Sequence, residues 1–467
     1  MRPRLLAVLA ALAVVASACS VSVPRHEAAS YLRSGGHSAS ATGADGQDLG
    51  AAGSDTSAAA AGGLDGSSAG GATGSAARSN ASAKGATAGA TGPGTSGSSA
   101  GGGLASAPGV TKDSVTVSVI AGFSGPLAAM VGRAYDGLST WQDDVNAAGG
   151  IYGRKVELKK VDHKETADGG VAACKEALSN GSYFAIVPEG VDATLTAVSC
   201  LDAAGMPTFY YSATTDPKWK VAFADVVPST QAGTEMASYV ANGLHAAGKK
   251  IGVIYVNQAS YKALTDGFLP QAHRMGLDVA TPEAVEPNSA SFTAPLLRLK
   301  NAGVQVLIIS ATTDAIGILR DAKGMGWNPT FTGWGFQFDF VTTGGRNLFD
   351  NVQALRAYAA TDSAAFGQYS ARMSARGRGR SRSDDLEGFA AYGHALVIGE
   401  VLKRAGANPT RASLVAGAEG VSGYDNGILG PITWSRADHE GVHATFPVVC
   451  CNSDYTWKTA APAGTAY

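Results

Sequence analysis

From Lys112 onward, short β-branched runs alternate with amphipathic segments, the pattern of strands covered by helices. Ser114 to Ile120, Lys155 to Val161, Tyr183 to Val187 and Pro207 to Tyr211 read as strands. Leu127 to Ala147, Gly169 to Leu178 and Asp192 to Ala204 read as the helices between them. A second series follows, with strands at Lys250 to Val256, Leu277 to Ala280, Val304 to Ser310 and Thr330 to Gly333. Its helices fall at Tyr261 to Met275, Phe292 to Ala302 and Asp314 to Gly324. The stretch Val304 to Ile309 is almost continuously apolar, as a strand buried on both faces requires. Parallel sheets in an α/β fold are therefore expected. About 355 residues exceed one comfortable core, which points to two doubly wound, Rossmann-like lobes.

The chain before this body follows a different rule. Residues 34 to 109 are almost entirely Gly, Ala, Ser and Thr, and a segment with so little apolar surface cannot build a core. Residues 20–112 are read as a tether; about 85 such residues have an average reach of order 50 Å. At the start, Arg2 and Arg4 precede an apolar stretch from Leu5 to Val15 that is too short for a permanent membrane helix. It ends in Ala16, Ser17, Ala18 and Cys19, which resembles the lipobox of bacterial exported proteins, with Ala16 where Leu is usual. Residues 1–19 thus read as a signal peptide with Cys19 as the lipidated residue. A secretory signal cut nearby is the alternative. Either reading places the mature chain outside the cytoplasm, and a lipidated Cys19 would hold it to the membrane by a lipid anchor only.

The formal net charge of -2 predicts no nucleic-acid or anionic-lipid partner. Arg376, Arg378, Arg380 and Arg382 form a basic cluster, read as a solvated loop. Four cysteines remain after Cys19. Cys174 with Cys200 is the preferred disulfide, whereas the adjacent Cys450 and Cys451 could be reduced or joined in a labile bond.

Enzyme motifs find little support. His439, Glu440 and His443 form an HExxH match, but a zinc hydrolase needs that motif on a helix. Gly441 and Val442 inside it, and the strand-like Thr445 to Val449 after it, oppose a helix. No GxSxG, GxxxxGK[ST] or GxGxxG follows a strand, so neither catalysis nor a cofactor nor a metal is expected. What stands at the carboxyl ends of the strands is polar and unreactive: Ser124, Glu189 to Asp192, Ser212 to Thr215, Ser310 to Asp314 and Trp334 to Gln337. In open α/β sheets ligands bind at those ends.

Several segments resemble the branched-chain amino-acid (Leu/Ile/Val-binding) type of ABC-transporter substrate-binding protein. They are Val117 to Leu127, the NAAGG at Asn146 to Gly150 with GRK at Gly153 to Lys155, Ala203 to Pro207, Ala213 to Pro217, Lys250 to Tyr255 and Gly430 to Trp434. The resemblance covers most of residues 113 to 445. It implies a type I periplasmic-binding fold with three crossovers: a first lobe of 113–229 and 360–428 and a second of 230–359 and 429–467. It also fits one cysteine of the preferred pair on the second helix of the first lobe and the other on the third.

In that family Ala213 would hold an amino acid through its backbone, Thr215 through its hydroxyl and Tyr261 from the second lobe. The sequence departs at the serine loop, replaced by Glu189 to Thr194, and at Met130, near which a tyrosine is expected. No glutamate stands near Phe336 and Gln337. The ligand-binding candidates are therefore Ser124, Asp192, Thr194, Ala213, Thr215, Tyr261, Asp314, Trp334, Phe336 and Gln337, with Asp192 alternatively a helix N-cap. The resemblance implies a small polar solute, ABC permease subunits as partners and a monomer. A ligand sensor of the same fold is the other reading.

Overall fold

The structure, a computed structural model, describes residues 107–125, 127–211, 215–339, 345–381, 385–451 and 456–461. The leader with Cys19, residues 20–106 of the tether, Ala213 and Arg382 lie outside the described residues. Residues 107–112 already belong to the folded body. Val110 is buried and bridges to Val115.

The first sheet is wholly parallel, in the order β2-β1-β3-β4-β5. It comprises β1 (Ser114–Ala121), β2 (Lys155–Asp162), β3 (Phe184–Val187), β4 (Thr208–Tyr210) and β5 (Ala222–Ala224). Its central strands, β1 and β3, are apolar and buried nearly end to end. Edge strand β2 alternates exposed lysines with buried Val156 and Val161. Helices α1 (Ala128–Ala147), α2 (Ala167–Ser179) and α3 (Asp192–Ala203) connect these strands. Cys174 on α2 and Cys200 on α3 form a disulfide with a Cα–Cα distance of 6.1 Å.

The second sheet runs β13-β12-β11-β10-β9-β6-β7, with β8 also on β6. Its parallel part is β6 (Lys250–Val256), β7 (Asp278–Val279), β8 (Glu283–Val285), β9 (Val306–Ser310), β10 (Thr330–Trp334) and β11 (Gln353–Arg356). Strands β12 (Phe446–Val449) and β13 (Lys458–Thr459) add antiparallel pairs at the edge. Helices α4 (Ser229–Ser238), α5 (Ala259–Arg274), α6 (Thr293–Asn301), α7 (Asp314–Gly324) and the short α8 (Gly335–Asp339) accompany this half.

The chain passes between the two sheet layers three times. It leaves β5 for α4, which packs on α5. After β11 it returns through α9 (Ala364–Ala375), α10 (Leu386–Arg404) and α11 (Arg411–Glu419), with α10 packed on α1. A last irregular segment precedes β12. That segment first runs along the first sheet, where Glu440 bridges to Ala224 and the Trp434 indole N–H donates to the Ala224 carbonyl at 2.9 Å. Helix α10 is buried almost all round because it sits between layers. It approaches α1 so closely that a Cβ on Gly137 would collide with the Gly388 carbonyl.

The NAAGG and GRK segments have a mechanical role. The Asn146 side chain pairs with both the N–H (2.8 Å) and the carbonyl (2.9 Å) of Val156, imitating a strand neighbour for β2. Gly150 turns the chain at φ +80°, where a side chain would meet the Arg154 carbonyl. Buried Arg154 then donates to the carbonyls of Thr111 (2.6 Å) and Ala407 (2.8 Å), closing the base of the first layer.

The arginine cluster is not a solvated loop. Arg376 pairs with Asp144, Arg378 with Asp143 (2.7 Å) and Arg380 with Asp136 (2.6 Å), and Arg372 reaches Asp144 at 3.1 Å. All three aspartates lie on α1, so the basic stretch fastens the end of α9 to that helix. The physical reason is complementary charge spaced along one helix face, which a linear reading of the basic stretch overlooks. Among the described residues no helix is long and apolar enough to cross a membrane.

Candidate functional site

The loops that follow β1, β2 and β3 are bound to one another by buried polar contacts. Glu189, at the end of β3, is 1 % exposed and accepts the Gly122 N–H at 2.7 Å. Its carboxylate also meets His163 Nε2. His163 Nδ1 accepts the Glu165 N–H at 3.0 Å, so the ring proton sits on Nε2 and points at Glu189. Glu165 in turn accepts the Leu127 N–H at 2.8 Å and fills the space beside Gly122 and Gly125. Burial pushes the Glu165 carboxyl above its ordinary range. Ser124 donates from its hydroxyl to Asp162 at 2.5 Å. Against the cost of partial burial, hydrogen bonds from Ser124 and from nearby backbone N–H groups hold Asp162 below the usual carboxylate range. Ser124 thus serves its own loop.

Asp192 is the first residue of α3 and is exposed, while Val191 occupies the cap position without a side-chain bond. The N-cap reading of Asp192 does not hold. One turn in, Thr194 is fully buried and its hydroxyl has no partner in the structure. Thr215, after β4, donates its hydroxyl to the Glu440 carboxylate.

The second sheet contributes a matching set. Ser310 at the end of β9 donates to the Tyr261 carbonyl at 2.9 Å and receives Gln337 Nε2 at 3.4 Å. Tyr261, in the first turn of α5, donates its phenol to Thr312 Oγ1 at 3.0 Å. Asp314 opens α7, 9 % exposed, and accepts the Asn288 N–H at 3.3 Å. Burial raises its carboxyl above the ordinary range. Gln337 is 6 % exposed and its Oε1 has no partner. Trp334 packs into the core cluster at 3 % exposure, which makes it core rather than contact surface. Phe336 lies on α8, but its side chain falls outside the described residues, as does Ala213.

Burial raises the Tyr261 phenol above its ordinary range; its bond to Thr312 opposes that, and the negative charges of Asp314 and Asp192 add to the rise.

Two cavities lie near these groups. One of about 20 Å³, room for a single water, is lined by Met130, Pro188, Tyr211, Glu387 and His394 among others. The larger, about 610 Å³, opens beside Thr215 and is lined by Trp219, Arg436, His439 and Glu440 among others. Neither includes Tyr261, Asp314 or Gln337.

Parallel sheets whose strand ends meet on unreactive polar groups form a recognition geometry, and comparison with protein families matches residues 114–454 to the periplasmic binding proteins. The chain belongs to the periplasmic binding protein family. Among curated members, a Leu/Ile/Val-binding protein homolog 3 of Brucella melitensis biotype 1 is 30% identical over 197 residues, 41% of this chain and 53% of that protein. The chain spans little more than half the length of the curated relatives it matches. Among solved structures, the fatty acid ABC transporter substrate-binding protein from Thermomonospora curvata superposes with TM-score 0.66 at 18% identity. It covers 77% of this chain and 95% of that one. The branched-chain amino acid ABC transporter structure from Thermus thermophilus with bound valine gives 0.66 at 14% identity, over 76% and 97%. At such identities the structures establish the type I periplasmic-binding fold and nothing finer.

Sequence reasoning did not find His163, Glu165 or Glu440 as partners of the site loops. Adjacent acid and histidine at a strand end was the available signal for His163. Nothing local foretold that Glu440 would reach Thr215 from 225 residues away.

Proposed function

We propose that this periplasmic binding protein is the extracytoplasmic solute-binding component of an ABC importer, taking a small polar solute between two lobes and presenting the closed form to permease subunits. The observation that carries this reading is a pair of parallel sheets whose strand ends bear polar groups, in a chain whose residues 114–454 match the periplasmic binding proteins. A solute seated between those ends touches both halves, and a ligand favours closure only through contacts it makes in the closed state. The names of the relatives support an ABC-importer role, since those proteins are called Leu/Ile/Val-binding, amino acid binding or ABC transporter proteins.

In this reading the first lobe is 107–229 with 360–443, extended from the expected 360–428 to include the segment beside β5. The second is 230–359 with 444–461. Residues 1–19 act as the export signal, lipidated Cys19 anchors the monomer to the outer face of the membrane, and the tether gives it reach. In this reading the site recognises a solute without catalysis, as in the solute-binding proteins of its family.

The test is a thermal-shift screen over amino acids, amides, amines and aromatic acids, since a ligand of the folded state stabilises by RT ln(1 + [L]/Kd). Hits are then titrated against Tyr261→Ala. At least one hit should raise the melting temperature of the wild type, and the variant should weaken its binding tenfold or more. Unchanged binding in the variant overturns the site.

A further inference from the structure

The larger of the two cavities is separate from the solute contacts of the second sheet, since Tyr261, Asp314 and Gln337 take no part in its lining. It belongs to the first sheet layer alone. At about 610 Å³ it falls within the range of about 300–1,000 Å³ that holds drug-sized molecules. Its aromatic surface includes Trp219, which meets Tyr210 edge to face at 5.4 Å, and His439, whose ring stacks on Phe223 at 4.0 Å. Tyr210 and Phe223 are buried, so the core braces both rings.

Charge is divided between two stretches of chain around this cavity. The loop from β4 to β5 brings Lys218 and Lys220 with Asp216, while the end of α11 and the segment beside β5 bring Glu419, Asp438 and Glu440 with Arg436. One stretch is net positive and the other net negative. Glu440 takes the Thr215 hydroxyl, Asp438 accepts the Glu440 N–H at 2.8 Å, and Glu419 lies 3.6 Å from His439 Nε2 and 3.9 Å from Arg436. Each carboxylate has about four acceptor sites, so lone pairs remain for a further donor. The ammonium groups of Lys218 and Lys220 have no ion-pair or hydrogen-bond partner among the described residues. Positive and negative charge therefore stand apart in one cavity.

A ligand of a single charge would satisfy one stretch and meet repulsion from the other. A dipolar ligand satisfies both. We infer that this cavity is a second binding site, for a short zwitterionic peptide of about two to four residues. Its carboxylate faces Lys218 and Lys220, its ammonium faces Glu419 and Asp438, and an apolar side chain packs on Trp219. A free amino acid carries the same two charges but leaves most of the cavity to water.

The experiment is calorimetry with Gly-X-Gly tripeptides, X being Leu, Phe, Trp, Ser, Asp or Lys, each as the zwitterion, the N-acetyl form and the C-terminal amide, with free leucine and phenylalanine beside them. At least one zwitterion should bind with micromolar Kd, and blocking either end should weaken it tenfold or more. Lys218→Ala with Lys220→Ala, both exposed positions, should weaken the zwitterion as much as amidation does and leave the amide's affinity unchanged, because the two changes remove one interaction. Glu419→Gln with Asp438→Asn should act in the same way against the N-acetyl form. Melting temperatures without ligand report whether the variants fold, and the end-blocked peptides test the same charges with no substitution at all. The site is overturned if no zwitterion binds, if a zwitterion keeps its affinity when either end is blocked or in either folded double variant, or if a free amino acid binds as tightly. Each of these failures leaves the solute reading in place, because Tyr261 lies outside this cavity.

Discussion

Glu189 accepts the backbone N–H of Gly122 at 2.7 Å, and that single bond joins the end of β3 to the end of β1 beneath the candidate site. The same carboxylate meets the Nε2 proton of fully buried His163. Removing the acid strands two buried donors, which costs about 2–4 kcal/mol. Glu189→Ala should therefore lower stability by about that amount in denaturant titration. Glu189→Gln keeps a carbonyl acceptor and should lose about 1 kcal/mol. Equal losses in the two variants would show that the network contributes nothing.

Asp385, at the start of α10, is 2 % exposed and accepts the Tyr369 hydroxyl at 3.0 Å. Burial pushes its carboxyl up to about 7, against the opposing hydrogen bond and nearby Arg380 and Arg133. A carboxyl with a raised pKa in the folded state binds its proton more tightly there than when unfolded. Its contribution is fully present below the unfolded pKa near 4 and is lost as pH rises through about 7. In Asp385→Asn this loss, on the order of 1–4 kcal/mol between pH 4 and 8, should vanish. Parallel stability profiles for wild type and variant across that range would refute the assignment.

The Cys174–Cys200 bond ties α2 to α3 and closes a loop with a sequence separation of 26. Cross-links of this length contribute about 2–4 kcal/mol, mainly by restricting the unfolded chain. Cys174→Ser with Cys200→Ser should lower the denaturation midpoint accordingly while leaving solute affinity within about twofold, because the bond joins helices away from the strand ends. A midpoint unchanged from wild type under non-reducing conditions would sink this.

Most of the fold was legible because the strands obey simple rules. Predicted Ser114 to Ile120 and observed Ser114–Ala121 differ by one residue, and the apolar run before Ser310 forms β9 as expected. The strand β5 and helix α10 were not singled out. Three residues of Ala-Phe-Ala carry too short a pattern, and a helix buried on every side shows no amphipathic stripe. Strand ends can be read from sequence, which placed Asp314 and Gln337 after β9 and β10, while Tyr261 came from the family resemblance. The direction of each hydrogen bond could not be read, because Thr215 is defined by Glu440 and His163 by Glu189, partners fixed only by tertiary packing.

The HExxH match offers the last test. His439, Glu440 and His443 lie in an irregular segment, and each turns to a different partner. The His439 ring stacks on Phe223 at 4.0 Å with Nε2 3.6 Å from Glu419, His443 stands 3.6 Å from Asp438, and Glu440 takes the Thr215 hydroxyl. Metal sites need ligands that converge within about 2 Å of one point, and among the described residues no group of His, Cys, Asp and Glu does so. Dialysis against a chelator should therefore leave the melting temperature and solute Kd unchanged. Glu440→Ala should instead act through Thr215. It frees the hydroxyl proton, shifts Kd severalfold in the same direction as Thr215→Ala, and gives no further change in the double variant, because the two residues act as one unit. Additive effects in that cycle, or zinc restoring affinity after chelation, would return the motif to metal chemistry and leave Thr215 unexplained.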